Sequence, residues 1–528
     1  MAYYRDLRDY LKVLEEKNKL VRIKSEINKD TELHPLVRWQ FRGLPEAERK
    51  GFLFENVTDV HGRKYSIPVA VAIHAASREI YGLAMGCGPH EIAEKWTRAQ
   101  LNPLAPRMVS SGPVQEEIHK GAKLLEHGGM EEFPVPISTP GFDNAPYLTA
   151  ANWVTKDPET GLRNMGNYRS MVKRENRLGI LSRGTQHLRI HWEKSRKAGK
   201  PLQAAIVLGP PPNVGLVATA KIAFGVDEYA VAGGLAGEPL ELVKCQTVDL
   251  EVPATAEIVI EGEMPVDAME TEGAFGEFSG YMGMPGINPF LNITCITHRK
   301  KPIFNAFLSQ FPPSESSKLR QVGSEAAFYK FLKYDCNISG VRDVAFHESS
   351  GSAPYMVIRI KKNFPSEGWQ ALNGAAAYTA TNGKFIILVD EDIDPWDADS
   401  VNWAMSFRVQ PHRDIRITMG RESSLDPSSA PLEEGDRRYP MPHGCSSILI
   451  DATMKWPYPP VSLPRKNFME EARKIWEREG LPKLSPKTPW YGYSLGYWTE
   501  ENEAEARLAL EGRYYETGDK FGSNKVKS

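Results

Sequence analysis

Cysteine is scarce here and poorly placed for cross-linking. The five residues (Cys87, Cys245, Cys295, Cys336, Cys445) are an odd number, widely scattered and without a Cys-x-x-Cys pair, which excludes a disulfide framework or zinc ribbon and fits reduced thiols. Charge of one sign is lacking as well. The 65 basic and 67 acidic residues leave a net charge of −2, without the basic surplus of a protein that tracks nucleic-acid phosphates. Apolar runs are short, as in Phe385 to Val389, whereas a membrane span needs about 20 residues. The opening MAYYRDLRDYLKVLEEKNK has neither the apolar stretch nor the small-residue cleavage site of a signal peptide. A cytoplasmic address is expected, so the sequons at Asn56, Asn292 and Asn337 are chance matches. There is no HExxH, Walker A or GxGxxG motif, no internal repeat and no low-complexity tract.

What is present is a long chain of ordinary globular composition. At 528 residues, 41% hydrophobic and 25% charged, it exceeds what one core accommodates and predicts a multidomain α+β protein. Leu7, Leu11 and Leu14, spaced i, i+4, i+7 among charges, predict an amphipathic helix over 4–18. Ile67 to Ile73 reads as a strand, and Pro89 as the first turn of a helix carrying Ile92 and Trp96. Prolines 103, 106 and 113 and the stretch 133–140 suggest a connector. Short β-rich segments punctuated by glycine follow from about 147 to 310. Beyond them, alternation over Tyr355 to Lys361, the apolar run at Phe385 and a helical stretch over 400–407 predict an α/β unit. The proline-rich stretch 457–464 precedes a helix with Phe468, Ala472, Ile475 and Trp476 on one side, suited to packing on a second subunit. The expected domains are 1–115 (N-terminal α+β), 116–320 (β-rich), 321–456 (C-terminal α/β, oligomerising) and 457–528 (extended arm and tail helices).

Asp390, Asp392 and Asp394 imitate an EF-hand loop, but Pro395 replaces its turn glycine and Val401 its bidentate glutamate, so they read as solvated strand-end acids. Three other segments suit chemistry better. Arg163-Asn-Met-Gly-Asn-Tyr-Arg-Ser170 reads as one strand, in which Asn164 and Arg169 would face opposite sides unless Gly166 marks a bulge. Gln186-His187 with Gly225-Val-Asp-Glu228 supplies nitrogen and oxygen donors that, with Asn164, suit Mn²⁺ or Mg²⁺ on a phosphate. In Glu272-Gly-Ala-Phe-Gly-Glu277 the glycines let the backbone turn, so that both carboxylates can meet one ligand. An arginine would hold one glutamate ionised, while the other, in an apolar pocket, would have a raised pKa and move a proton. Spacing alone leaves this reading level with a structural turn.

Together these segments resemble the UbiD family of reversible decarboxylases, which use prenylated FMN. The likeness extends through Glu238-Pro-Leu-Glu-Leu-Val-Lys-Cys245, Asp249-Leu-Glu-Val-Pro-Ala254 and Ala256-Glu-Ile-Val-Ile-Glu-Gly262, with fainter echoes at Val389-Asp-Glu-Asp-Ile-Asp394 and Ile450-Asp-Ala-Thr-Met-Lys-Trp456. The resemblance implies a central split β-barrel that binds the cofactor, with Arg169, Glu272 and Glu277 as the catalytic set. Glu277 falls at the position of the proton donor and Glu272 at that of the arginine's partner. It implies Asn164, His187 and Glu228 as ligands of Mn²⁺ (or Mg²⁺), carbonyls near Met165 and 217–220 for K⁺, and Gly166, Asn167, Gln186 and Thr219 about the flavin. It further implies an aromatic or heteroaromatic acid and CO₂ as reactants, a flavin prenyltransferase as cofactor supplier, and a homodimer or homohexamer. No nucleic-acid or membrane partner is expected. One departure is that Ala375-Ala-Ala-Tyr-Thr379 lacks the phosphate-binding lysine expected before Tyr-Thr, leaving Lys384 or another base to substitute. An aromatic acyl-CoA substrate and an inactive assembly subunit are the alternatives, and substrate and reaction direction stay open.

Overall fold

The computed structural model describes residues 3–523 apart from 183, 185, 221, 423–424, 430–444 and 488–494. The helix Leu7–Glu16 forms as its spacing predicts, capped by the Asp6 carboxylate on the Asp9 N–H and burying Leu7, Tyr10, Leu11 and Leu14. Pro89 lies outside the next apolar helix, Ile92–Leu101, whose first turn follows Glu91. A four-stranded sheet orders Leu20–Ile23, Gly51–Phe54, Val69–Val71 and Phe304–Ala306, so its last strand arrives from more than 200 residues downstream. That distant pairing lies beyond the reach of local pattern.

The sheet that builds the site is antiparallel. Among the described residues it runs Arg163–Asn167, Asn152–Lys156, Leu202–Leu208, Ile258–Met264, Phe290–His298, Arg177–Ile180, Ser170–Arg174 and Tyr147–Leu148. Glu117–Lys120, inside the expected connector, pairs with the far end of Phe290–His298. Arg163–Asn167 and Ser170–Arg174 are six places apart in this order, about 29 Å if the sheet were flat. Only Tyr168 and Arg169 join them, however, and such a link spans at most about 10 Å. The sheet must therefore curl until its ends nearly meet, and Arg169 sits in the seam. This is the curled half-barrel of the expected α+β fold.

Two expectations change here. The run 163–170 is not one strand, because pairing with Asn152–Lys156 continues without a bulge through Gly166 to Asn167 and then stops. Strand parity consequently says nothing about Arg169. The acids at 390 and 392 are not solvated either, since the Arg408 guanidinium bonds Asp390 Oδ2 (2.9 Å) and both Asp392 oxygens (2.8 and 2.7 Å) in a buried cluster. They tie the helix Ala398–Arg408 to the C-terminal sheet, whose order is Val341–Phe346, Tyr355–Ile360, Phe385–Asp390, Ser446–Ala452, Ile415–Met419, parallel in the middle and antiparallel at both edges. The tail helix Lys466–Arg478 forms, with Phe468 and Ile475 exposed.

Candidate active site

Arg169 gathers both glutamates. Its Nε donates to Glu272 Oε1 (2.8 Å) and its Nη2 to Glu272 Oε2 (2.7 Å), while Nη1 donates to Glu277 Oε1. The three side chains retain only 8%, 1% and 8% of their exposure, so the charges meet in a nearly dry seam. Phe275 lies under the guanidinium at 5.1 Å, and Tyr147 packs on Phe275 with ring centroids 4.6 Å apart. Burial opposes the arginine's charge, but the Glu277 and Glu272 carboxylates outweigh it and raise its pKa. Glu272 behaves differently from the expectation for the arginine's partner. Its burial is deep enough that its pKa rises in spite of Arg169.

The glycines of this segment serve close approach. Neither Gly273 nor Gly276 has a positive φ, but a Cβ on Gly276 would stand 2.2 Å from Thr139 Oγ1, and one on Gly283 would stand 3.0 Å from Arg169 Nη1. The loop 139–144, which sequence reasoning passed over, clamps the segment. Asp143 Oδ1 accepts from the Gly276 N–H (2.9 Å) and Oδ2 from the Thr139 N–H (2.6 Å), and Asn144 Oδ1 accepts from the Ala274 N–H (2.7 Å). Burial pushes the Asp143 carboxyl up to about 6. The available signal was an Asp-Asn pair after Pro140-Gly141, typical of many turns.

Beside the seam lies a cleft lined by Asn164, Met165, Gly166, Asn167, Gln186, His187, Thr219 and Glu228, which are all the expected cofactor-binding residues except Arg169 itself. His187 opens the helix His187–Lys197 and Glu228 opens Glu228–Ala236, so two helix N-termini face one space. Asn164 Oδ1 and His187 Nδ1 are 3.0 Å apart, the separation of adjacent ligand atoms about 2.1 Å from one octahedral cation. Glu228 Oε2 accepts from the Met165 N–H at 3.0 Å, and burial pushes its carboxyl up to about 8, poised to exchange a proton for a metal ion. Asn164 Nδ2 and Asn167 Oδ1 are buried without a hydrogen-bond partner among the described residues. The donor set and these orphaned atoms fit a phosphate-bearing cofactor held through a divalent cation.

Lys384 does not enter this cleft. It bonds Asp426 Oδ2 (2.8 Å) and Ser428 Oγ (2.7 Å) and lines a different cavity. Arg320, from the first turns of Glu315–Lys330, reaches the cleft instead, with its guanidinium 4.0 Å over the Phe278 ring and within the influence of Glu277. Its spacing in the sequence gave no hint of this, since nothing local distinguishes it from a surface helix arginine.

The central region, 107–311, matches the model for the Rift-related domain of 3-octaprenyl-4-hydroxybenzoate carboxy-lyase, flanked by matches to that enzyme's N-terminal domain at 11–100 and C-terminal domain at 319–452. An uncharacterized protein of Aquifex aeolicus is 30% identical over 91% of this chain and its own full length. The chain belongs to the UbiD family. A phenolic acid decarboxylase of Sedimentibacter hydroxybenzoicus is 28% identical, covering 90% of this chain and 97% of its own. An evolved dimeric form of the UbiD-class enzyme HmfF from Pelotomaculum thermopropionicum, solved in complex with prFMN, superposes with a TM-score of 0.76 at 31% identity, over 89% of this chain and all of that one. This UbiD protein is thus a carboxy-lyase of the decarboxylase class. None of its described helices is long and apolar enough to cross a membrane.

Proposed function

We propose that this UbiD protein reversibly decarboxylates an aromatic or heteroaromatic acid with prenylated FMN. The observation that carries the reading is the convergence of Asn164, His187, Glu228 and their neighbours on one cleft, with the Arg169, Glu272, Glu277 cluster in the adjoining seam. Asn164, His187 and Glu228 would hold Mn²⁺ or Mg²⁺ against the cofactor phosphate, with the two helix N-termini adding favourable dipoles. Carbonyls near Met165 and 217–220 would take K⁺. When bound, the cofactor supplies the electron sink that loss of CO₂ from an sp² carbon requires.

The chain's own residues do the rest. Arg169 keeps two carboxylates together without net repulsion and stays charged throughout the relevant pH range. Glu277 bonds Arg169 through one oxygen, which leaves its other oxygen to carry the proton to the carbon that loses CO₂, while Glu272 is committed through both oxygens. Arg320 offers a cation at the cleft wall, suited to an anionic carboxylate or phosphate. Phe275 and Tyr147 keep the seam apolar on one side.

The test is to co-express the full chain with a flavin prenyltransferase, record its ultraviolet-visible spectrum and cofactor mass, and assay CO₂ release from a panel of aromatic acids. A coloured protein carrying prenylated FMN and active on at least one acid is expected. A colourless, inactive protein with an intact fold overturns the reading.

A further inference from the structure

Three histidines and a glutamate meet at the sheet edge remote from the cleft. His119 lies on Glu117–Lys120 and His298 ends Phe290–His298. The register pairs His119 with Ile296, so the two histidines are diagonal neighbours on one face, with ring centroids 4.9 Å apart. His127 follows the short helix Ala122–Glu126 and stacks on His119 at 3.8 Å. Gly128 and Gly129, with φ of +85° and +54°, then reverse the chain and return Glu132 to the same place. A Cβ on Gly129 would stand 2.2 Å from the Glu175 carbonyl oxygen, so this reversal is held to glycine. The strand Phe290–His298 is four places from Arg163–Asn167 in the sheet, about 19 Å measured along it.

The polar contacts of this cluster converge on Glu132. His298 Nδ1 lies 2.6 Å from the Arg299 carbonyl oxygen, and because a carbonyl can only accept, Nδ1 carries the hydrogen. Its Nε2 is buried 3.4 Å from Glu132 Oε1. The other oxygen of Glu132 lies 3.0 Å from His119 Nδ1.

We propose that His119, His127 and Glu132 bind a divalent transition cation of the zinc class. Their ligand atoms already lie within 4.8 Å of one another, while atoms about 2.0–2.1 Å from a tetrahedral cation stand about 3.3 Å apart. The exposed His127, next to two glycines, supplies the remaining closure by rotating. Imidazole nitrogens with one carboxylate select Zn²⁺, Co²⁺ or Ni²⁺ over Mg²⁺, unlike the oxygen-rich set at Asn164 and Glu228. The ion would pin the excursion 122–132 to the sheet edge.

The experiment uses the full chain stripped with a chelator, as wild type and as His127→Ala, Glu132→Gln and His187→Ala, titrated with Zn²⁺ by calorimetry and with Co²⁺ by visible absorption. Wild type is expected to bind one more equivalent of Zn²⁺ than His127→Ala or Glu132→Gln, and to show a zinc-dependent rise in Tm that both variants lose. The tetrahedral Co²⁺ absorption should persist in His187→Ala. Equal stoichiometry in wild type, His127→Ala and Glu132→Gln overturns the assignment, as does zinc binding that disappears only with His187. A protonated His298 with no metal gives the first of these outcomes.

Discussion

Arg169 grips Glu272 through two parallel contacts, 2.8 and 2.7 Å, between residues 103 apart in sequence. Only a planar guanidinium makes that fork while a third nitrogen reaches Glu277. Arg169→Ala should leave two buried carboxylates unpaired and cost about 3–5 kcal/mol of stability, read from urea denaturation. Arg169→Lys should fold more nearly as wild type yet lose about 100-fold or more in kcat, since one ammonium cannot hold both acids in register. Near-normal turnover by the lysine variant would remove Arg169 from the catalytic set.

Glu277→Gln keeps the shape of the side chain but has no carboxyl to exchange a proton. The cofactor-loaded variant should bind prenylated FMN as wild type does but lose both CO₂ release and exchange of the ring proton with deuterated solvent, each by about 100-fold or more. Proton exchange at the wild-type rate, followed by NMR, would assign the donor role elsewhere.

Glu228 should make binding of the proposed metal ion pH-dependent. Its carboxyl is neutral in the folded, metal-free protein below about 8, so a divalent cation must displace that proton. Mn²⁺ affinity should rise by up to about tenfold per pH unit towards pH 8 and level off above it, measured by calorimetry. Stability should show the opposite slope. A folded pKa raised above the unfolded value contributes stability that is present at acid pH and lost as pH climbs through about 8. Glu228→Gln should flatten both profiles and release the cofactor on gel filtration.

Asp143 touches neither glutamate but fixes the backbone between them. Asp143→Ala leaves the Gly276 and Thr139 N–H groups without their acceptor, a cost of about 1–3 kcal/mol for each group that stays buried. Freed from the clamp, Glu277 should lose its position, so that kcat falls while KM changes little. Partial recovery with Asp143→Asn, which keeps one acceptor oxygen, would separate positioning from general destabilisation.

Legibility followed the range of the interactions. The helix Leu7–Glu16 and the strand Phe385–Asp390 were readable because period and composition are local properties. Asp390 and Asp392 misled because their partner, Arg408, approaches from the next helix and converts apparent strand-end solvation into buried pairing. Asp143, Asn144 and Arg320 escaped notice because each acts on residues far away in sequence and carries no mark of its own.

The opening of the site at Arg169 shows the same division. By itself the sequence determined the family, the reaction class and the residue types available for it, because ordered motifs such as Glu272-Gly-Ala-Phe-Gly-Glu277 keep chemistry and spacing together. Only the tertiary structure decided how Asn164 comes to line the cleft while Arg169 pairs with the glutamates beside it, since the curl of the sheet, and not the parity of one strand, ends the pairing at Asn167 and sets the arginine in the seam. It also decided that burial lifts Glu272 in spite of its arginine, because desolvation depends on everything packed around the carboxylate, which no local stretch of sequence records.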